Sequence, residues 1–100
     1  MARRESSRVT AVETFLLEFQ DRVTSALEEE DGQARFQNER IDGHGGGFAR
    51  PRVLSDGPVL ERAAVNFSHT VGRNLPAPAT ARRPELAGAS YDAISVSLIV

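Results

Sequence analysis

Small polar side chains recur at alternate positions in two stretches of this sequence, and their types suit them to hold a ligand. Asn66 and Ser68 alternate with apolar residues in the stretch 63–71, and Ser95 and Ser97 do the same near the end of the chain. Such alternation predicts β-strands with one apolar face and one small polar face. Small side chains let a flat ligand approach a sheet closely, and hydroxyl and amide groups can hydrogen-bond it. The same pattern is also typical of a half-exposed sheet whose polar side chains face water.

The two histidines, His44 and His69, are far apart in a chain that has no cysteine. A metal site needs several converging ligands, so these two residues predict none, and disulfides and thiolate metal sites are excluded within this sequence. We expect His69, at the end of a strand, to be a structural hydrogen-bonding residue. Neither Gly-x-Ser-x-Gly nor His-Glu-x-x-His occurs, so residue types alone assemble no catalytic constellation.

Every basic side chain is arginine, and the formal net charge is −2. Arginine grips carboxylates bidentately, which would suit a substrate with several carboxylates, although a bias toward arginine codons explains the same composition. The adjacent Arg82 and Arg83 could clamp a carboxylate or form surface ion pairs worth roughly 0–1 kcal/mol. The glycine-rich stretch 43–47 predicts a loop, but it lacks the pattern of a nucleotide-binding loop.

The elements that position these residues follow from periodicity. Residues 10–31 predict an amphipathic helix with a capping box at Thr10 and Glu13, a stop at Gly32 and a solvated acidic end at 28–31. Its predicted inward face comprises Val12, Leu16, Phe19, Val23 and Leu27, widened by Phe15 and Ala26. A short strand is predicted within 34–41, and strands 52–54 and 59–71 flank an Asp56-Gly57 hairpin turn.

A long connection over 72–84 carries Pro76, Pro78 and Pro84, and a single helical turn is predicted from Pro84 to Leu86. The final strand covers 91–100, with Ile94, Val96, Leu98 and Val100 on one face. The fold class is therefore α+β, an N-terminal amphipathic helix followed by antiparallel strands, with no linker that divides two domains. Without a basic stripe, a long apolar run or a signal sequence, we expect a cytoplasmic protein with no nucleic-acid partner and no membrane span.

Several blocks of the sequence, taken in order, resemble the oxygen-dependent coproporphyrinogen-III oxidases of heme biosynthesis. The helix that ends near Asp31-Gly32 matches the opening of that family. The later blocks are Gly45-Gly46-Gly47 with Arg52-Val53-Leu54, Ala64-Val65-Asn66-Phe67-Ser68-His69, Ala79-Thr80-Ala81-Arg82-Arg83-Pro84-Glu85-Leu86-Ala87-Gly88, and Val96-Ser97-Leu98. The similarity is specific because the blocks occur in order at compatible spacings over nearly all of the chain.

The resemblance implies oxidative decarboxylation of two propionates of coproporphyrinogen III to vinyl groups. O2 is the acceptor, CO2 is released and no organic cofactor takes part. It also implies a homodimer built on a large antiparallel sheet flanked by helices. Ser97 matches the serine of the Val-Ser-Leu block that contacts substrate. His69 matches a histidine of the pattern, but neither a catalytic nor a metal-binding role is carried onto any residue of this chain.

Bacterial members of the family are described with a divalent metal held by histidines, which would begin just beyond Val100. We therefore expect residues 1–100 to be the N-terminal fragment of a single coproporphyrinogen oxidase domain, inactive and poorly soluble by itself. One departure is the segment 48–51, where Pro51 cannot donate a backbone hydrogen bond to substrate. A non-enzymatic tetrapyrrole-binding module and a plain structural domain are the alternatives.

Overall fold

One long helix packs on an antiparallel sheet in the computed structural model, which describes residues 6–72, 83, 85 and 88–100. The elements are α1 (Ser6–Asp31), β1 (Gln37–Asn38), β2 (Ile41–Asp42), β3 (Phe48–Ser55), β4 (Arg62–Gly72) and β5 (Tyr91–Ile99). The strand order is β1-β3-β4-β5, and β2 also pairs with β3. Because the helix comes first and every strand pair is antiparallel, the α+β prediction is confirmed.

The register of the sheet sorts the side chains into two faces. Val65 pairs with Arg52 on one side and with Leu98 on the other, so these three residues share one face. Asn66, one residue further along β4, pairs with Pro51 and Ser97, which share the opposite face. We call the first face, which α1 packs against, the covered face, and the second the open face.

The core lies between α1 and the covered face. Phe36, Leu54, Ala63 and Val65 form its buried centre, and Val23 and Leu27 of the helix pack against it. Phe67 is also fully buried, and its ring centroid lies 5.2 Å from that of Phe48. The alternation predicted for β4 is therefore confirmed, because all of its odd-numbered residues from Ala63 to His69 are buried.

The inward face of α1 differs from the apolar face that its sequence predicts. Val23 and Leu27 do pack on the core, but Val12, Phe15 and Phe19 are 47%, 59% and 40% exposed. Polar residues are buried beneath the helix instead, namely Gln20, Thr24 and Asp31. The physical reason is that the covered face carries Arg50, Arg52 and His69, which need hydrogen-bond acceptors.

The strand bounds also shift from their predicted positions. The Asp56-Gly57 turn is confirmed, with Asp56 in the left-handed region at φ 59°, but β4 begins at Arg62 and not at Val59. The Asp56 N–H donates to the Glu61 carbonyl at 2.8 Å, so the connection extends to that residue. The strand predicted within 34–41 is divided into β1 and β2, and β3 is longer than predicted because it begins at Phe48.

Pro51 lies inside β3 without disturbing its pairing with β4. Its carbonyl accepts the Glu39 N–H at 3.2 Å, so its backbone faces the β1 side of the strand. The carbonyl and the nitrogen of one residue point to the same side of a strand, so the missing N–H falls on that outer edge.

Parts of the predicted connection cannot be compared with the structure. Pro76, Pro78, Arg82, Pro84 and Leu86 lie outside the described residues, and with them the proline-rich crossing and the predicted turn. The helix α1 begins at Ser6, before the predicted start, so Thr10 lies inside it and the predicted capping box at Thr10 is wrong. No helix in the described part of the chain is long and apolar enough to cross a membrane.

Candidate functional site

The open face gathers the four small polar residues that the sequence singles out. Asn66 of β4 lies opposite Ser97 of β5, and Ser68 lies opposite Ser95. The Ser68 and Ser95 hydroxyl oxygens are 3.2 Å apart, within hydrogen-bond distance. Pairing therefore converts two alternating patterns, distant in sequence, into one patch of hydroxyl and amide groups.

This patch consists of short side chains and is accessible to solvent. Ser95 and Ser97 are exposed, and the alanines Ala49, Ala64 and Ala93 flank the polar residues on the same face. Asn66 Oδ1 accepts the backbone N–H of Arg52 at 3.3 Å, which orients the amide. A flat ligand can thus approach the strands closely and meet hydrogen-bonding groups, as the sequence predicts for this surface.

The glycine-rich loop lies beside the end of β4, next to His69 and Val71. The Gly43 N–H donates to the Gly47 carbonyl at 2.8 Å, and the Gly47 N–H donates to the His44 carbonyl at 3.1 Å. Gly45 and Gly46 have φ of 63° and 89°, a conformation that favours glycine. A Cβ on Gly47 would lie 2.6 Å from the His69 carbonyl oxygen, so only glycine lets the loop approach β4 this closely.

A cavity of about 310 Å³ lies between this loop and the end of β4. Its lining includes the apolar Ile41, Ala49 and Val71 and the polar His44, Ser68 and Thr70. Ser68 belongs both to this cavity and to the polar patch. The cavity and the patch are therefore continuous along β4.

His69 lies on the covered face and is the structural residue that its position predicts. Its ring is 6% exposed, with Nδ1 2.7 Å from Glu13 Oε2 and Nε2 2.7 Å from Asp92 Oδ1. Each ring nitrogen therefore lies within hydrogen-bond distance of one carboxylate oxygen. These two hydrogen-bond contacts join α1 to β4 and β5, and the helical pattern of α1 does not reveal Glu13 as a partner of His69.

A second polar cluster fixes the middle of α1 on the sheet. The Gln20 amide nitrogen donates to the carbonyls of Arg50 and Val65 at 2.7 and 2.8 Å, and Gln20 Oε1 accepts Arg50 Nε at 2.7 Å. Arg50 and Arg52 both donate to Asp21 Oδ1, at 2.9 and 2.7 Å. Burial lowers the pKa of Arg50, the nearby Arg52 lowers it further, and Asp21 opposes the shift.

Several arginines form ion pairs with carboxylates of the same chain. Arg50 and Arg52 hold Asp21 on the covered face, Arg40 pairs with Asp42, and Arg83 pairs with Glu85 at 2.6 Å on the surface. Of the two alternatives that the sequence leaves open for Arg82-Arg83, the surface ion pair is the one that Arg83, the member that the structure describes, forms. Arg52 Nε is buried without a hydrogen-bond partner among the described residues.

The described residues do not fit a divalent metal. Within residues 6–72, 83, 85 and 88–100, no group of three or more His, Cys, Asp or Glu side chains is placed to hold one. Both nitrogens of His69 lie 2.7 Å from carboxylate oxygens, so this ring is already engaged within the chain.

An antiparallel sheet with a helix packed on one face, and with short polar side chains beside a cavity on the other, defines an α+β protein whose candidate site lies on the open face. A family model described as coproporphyrinogen III oxidase matches residues 11–100. The chain therefore belongs to the coproporphyrinogen III oxidase family, as the ordered sequence blocks predict. The family is one of oxidoreductases of porphyrin biosynthesis, and it implies coproporphyrinogen III as the substrate.

Proposed function

We propose that this chain serves the oxygen-dependent conversion of coproporphyrinogen III to protoporphyrinogen IX, and that the open face is the floor of its substrate site. The observation that carries the proposal is the convergence of Asn66, Ser68, Ser95 and Ser97 on one accessible sheet face in a member of this family. The pyrrole N–H groups of a porphyrinogen are donors, and hydroxyl and amide oxygens accept from them.

The proposed reaction oxidises two propionate side chains of the substrate at the expense of one O2. Each of two propionate side chains loses its carboxylate carbon as CO2. The remaining two carbons of that side chain give up one proton and two electrons, which leaves a vinyl group. The four electrons reduce one O2, with four protons, to two molecules of water. In this reaction the residues of the open face bind and orient the macrocycle, and the sheet beneath excludes water from one side of it.

Ser97 is the residue that we expect to contact the substrate. It is exposed at the centre of the patch, opposite Asn66, and it belongs to the Val96-Ser97-Leu98 block. A leucine here would raise the floor by a branched side chain and remove the hydroxyl. Alanine would remove the hydroxyl alone.

Binding of coproporphyrin III, the fluorescent oxidised form of the substrate, tests the open face directly. We expect a one-to-one complex with the wild-type chain and roughly tenfold weaker binding for Ser97→Leu. Ser25→Leu, an exposed serine on α1, is the matched control and should bind like the wild type. Equal affinity for all three proteins, or none for the wild type, would contradict the assignment of this face.

Oxygen dependence needs a separate measurement on the enzyme that contains this chain. We expect one O2 consumed for every two CO2 released, and no product under strictly anaerobic conditions. Product formed without oxygen would overturn the proposal. If that enzyme binds coproporphyrin III but does not turn over coproporphyrinogen III in air, the alternative of a tetrapyrrole-binding module is favoured.

The proposal extends to the organisation of the protein. Residues 1–100 are taken as the N-terminal part of a single oxidase domain that acts in the cytoplasm as a homodimer. Around Ser97 the described residues of the open face carry hydroxyl, amide and methyl groups, with no acid–base side chain beside it. We therefore expect the 100-residue chain alone to bind the macrocycle without decarboxylating it, which CO2 release from a propionate-labelled substrate would measure.

A further inference from the structure

We propose that the cavity beneath the glycine-rich loop is a second subsite of the substrate site, one that takes a methyl-bearing pyrrole edge of the tetrapyrrole, with His44 at its rim as a hydrogen-bond partner for the neighbouring propionate. This inference rests on the proposed function and assigns ligand contacts to His44, Thr70 and the apolar lining of the cavity.

The position of the cavity suits a ligand that already lies on the polar patch. Asn66, Ser68 and Thr70 follow one another on the open face of β4, and the last two line the cavity. At about 3.4 Å per residue, Thr70 lies about 14 Å along the strand from Asn66. A tetrapyrrole that contacts Ser97 on one side can therefore reach the cavity with its opposite edge.

The lining matches one edge of such a ligand. Ile41, Ala49 and Val71 supply an apolar wall for a ring and its methyl group, whereas Ser68 and Thr70 supply hydroxyls. The volume of about 310 Å³ is at the small end of ligand cavities, which is enough for one ring of a macrocycle and too little for all of it. Asp42 also lines the cavity, and its carboxylate pairs with Arg40 Nε at 2.9 Å, so its charge is balanced.

The loop itself points to the imidazole as the polar contact. The N–H groups of Gly43 and Gly47 are used within the loop, so neither is directed at a ligand. The exposed His44 is the only side chain within the stretch 43–47, because the other four residues are glycines. An imidazole can donate a hydrogen bond to a carboxylate in either of its protonation states.

Two variants test the subsite by coproporphyrin III titration, followed by fluorescence. His44→Ala removes the rim donor from an exposed loop, and we expect roughly tenfold weaker binding. Ala49→Leu fills the cavity from its sheet side, and we expect a loss at least as large. Ala26→Leu, at an exposed position of α1, is the matched control for the second variant and should leave the affinity unchanged.

A second probe tests the apolar character of the subsite. Uroporphyrin III carries acetates where coproporphyrin III carries methyl groups, so an apolar cavity should reject it. We expect the wild type to bind uroporphyrin III more weakly than coproporphyrin III, and Ala49→Leu to weaken uroporphyrin binding no further. Circular dichroism melts of each variant identify any loss of binding that comes from unfolding.

The outcomes separate this inference from the proposed function. If the wild type binds coproporphyrin III and Ser97→Leu weakens it, while His44→Ala and Ala49→Leu bind normally, the subsite is wrong and the substrate face stands. If the wild type binds no tetrapyrrole, both are overturned. Because Ala49 also lies opposite Ser68 of the patch, His44→Ala is the variant that separates the two proposals. If His44→Ala and Ala49→Leu both weaken binding and Ala26→Leu does not, the subsite is supported, and normal binding by His44→Ala overturns it.

Discussion

Asp31 shows how a carboxylate can be stabilised where simple rules disfavour it. Asp31 is the last residue of α1, and the C-terminus of a helix dipole disfavours negative charge. The sequence predicts a solvated acidic end at this position. Instead Asp31 is buried, and its two oxygens accept the backbone N–H groups of Leu60, Val59 and Ala34 at 2.8, 3.1 and 2.7 Å. These hydrogen bonds, with that from Leu60 first, lower the pKa of Asp31 below its ordinary value of 3.8.

The pKa of Asp31 makes stability depend on pH in the acid range. Because it is lowered on folding, its contribution is complete above pH 3.8 and is lost as the pH falls through the lower, folded-state value. We expect Asp31→Asn to be less stable than the wild type at neutral pH, with the difference shrinking as the pH falls below 3.8. Urea unfolding across this range measures it.

The matched control is Asp56→Asn. Asp56 is exposed at φ 59°, a conformation that asparagine also tolerates, so this variant should follow the wild type at every pH. A constant gap between wild type and Asp31→Asn down through the acid range would show that the carboxylate charge does not contribute.

His69 supports the opposite end of the helix. Its replacement by phenylalanine would keep an aromatic ring between α1 and the sheet but remove both donors to Glu13 and Asp92. Removing one partner of a buried charged pair costs about 3–5 kcal/mol, and here the Glu13 carboxylate would lose its imidazole contact. We expect His69→Phe to lower the free energy of unfolding by about this amount in urea melts.

His44→Phe is the matched histidine control, because His44 is exposed on the glycine-rich loop. It should change the free energy of unfolding by less than about 0.5 kcal/mol. If His69→Phe changed the free energy of unfolding as little as His44→Phe, the contacts of His69 with Glu13 and Asp92 would not stabilise the fold.

At the scale of elements, α1 is attached chiefly through its polar side chains. Gln20, Asp21 and Glu13 bind the sheet, while Phe15 is 59% exposed and Val12 is 47% exposed. Only its C-terminal half, with Val23 and Leu27, joins the apolar core. The stability of the helix on the sheet therefore depends on hydrogen bonds and ion pairs as well as on apolar burial.

Two alanine substitutions on α1 compare an apolar residue that packs on the core with one that is exposed. We expect Leu27→Ala to cost about 2–3 kcal/mol, because Leu27 packs on the core. Phe15→Ala should change stability by less than about 0.5 kcal/mol, since Phe15 is 59% exposed and alanine favours helix. Thermal melts of both variants measure the difference, and equal losses would contradict the orientation of the helix.

At the scale of the whole molecule, β5 is the edge of the sheet within the part of the chain that the structure describes. Its end carries Leu98, Ile99 and Val100, which are 52%, 68% and 67% exposed. An unpaired edge with apolar side chains is a template for association with another strand. The poor solubility predicted for the 100-residue chain has its physical cause here.

A charge on this edge should reduce association. We expect light scattering to show concentration-dependent assembly of the 100-residue chain, and Ile99→Lys to shift it to higher concentration. Val59→Lys, which places the same charge on the 66% exposed Val59 of the hairpin connection, should leave assembly unchanged. A monomeric wild-type chain at high concentration would contradict the prediction.

Local pattern was sufficient for much of the fold and of the candidate site. Alternation identified β4 and β5, Asp56-Gly57 identified the turn between β3 and β4, and the same alternation placed Asn66 and Ser97 on polar faces. The family followed from ordered blocks, as the match over 11–100 confirms. These features depend on neighbours in sequence, because the period of a strand and the chemistry of a turn act over a few residues.

The sequence by itself determined the fold class, the main strands and the four small polar residues of the open face. The tertiary structure alone decided that α1 turns Gln20 and Glu13 inward and Phe15 outward, and that His44 borders the cavity. The reason is that Arg50 and His69, far along the chain, must find acceptors once the sheet buries them. The periodicity of a helix does not show such partners. Only the tertiary structure therefore reveals which face of α1 hydrogen-bonds to the sheet.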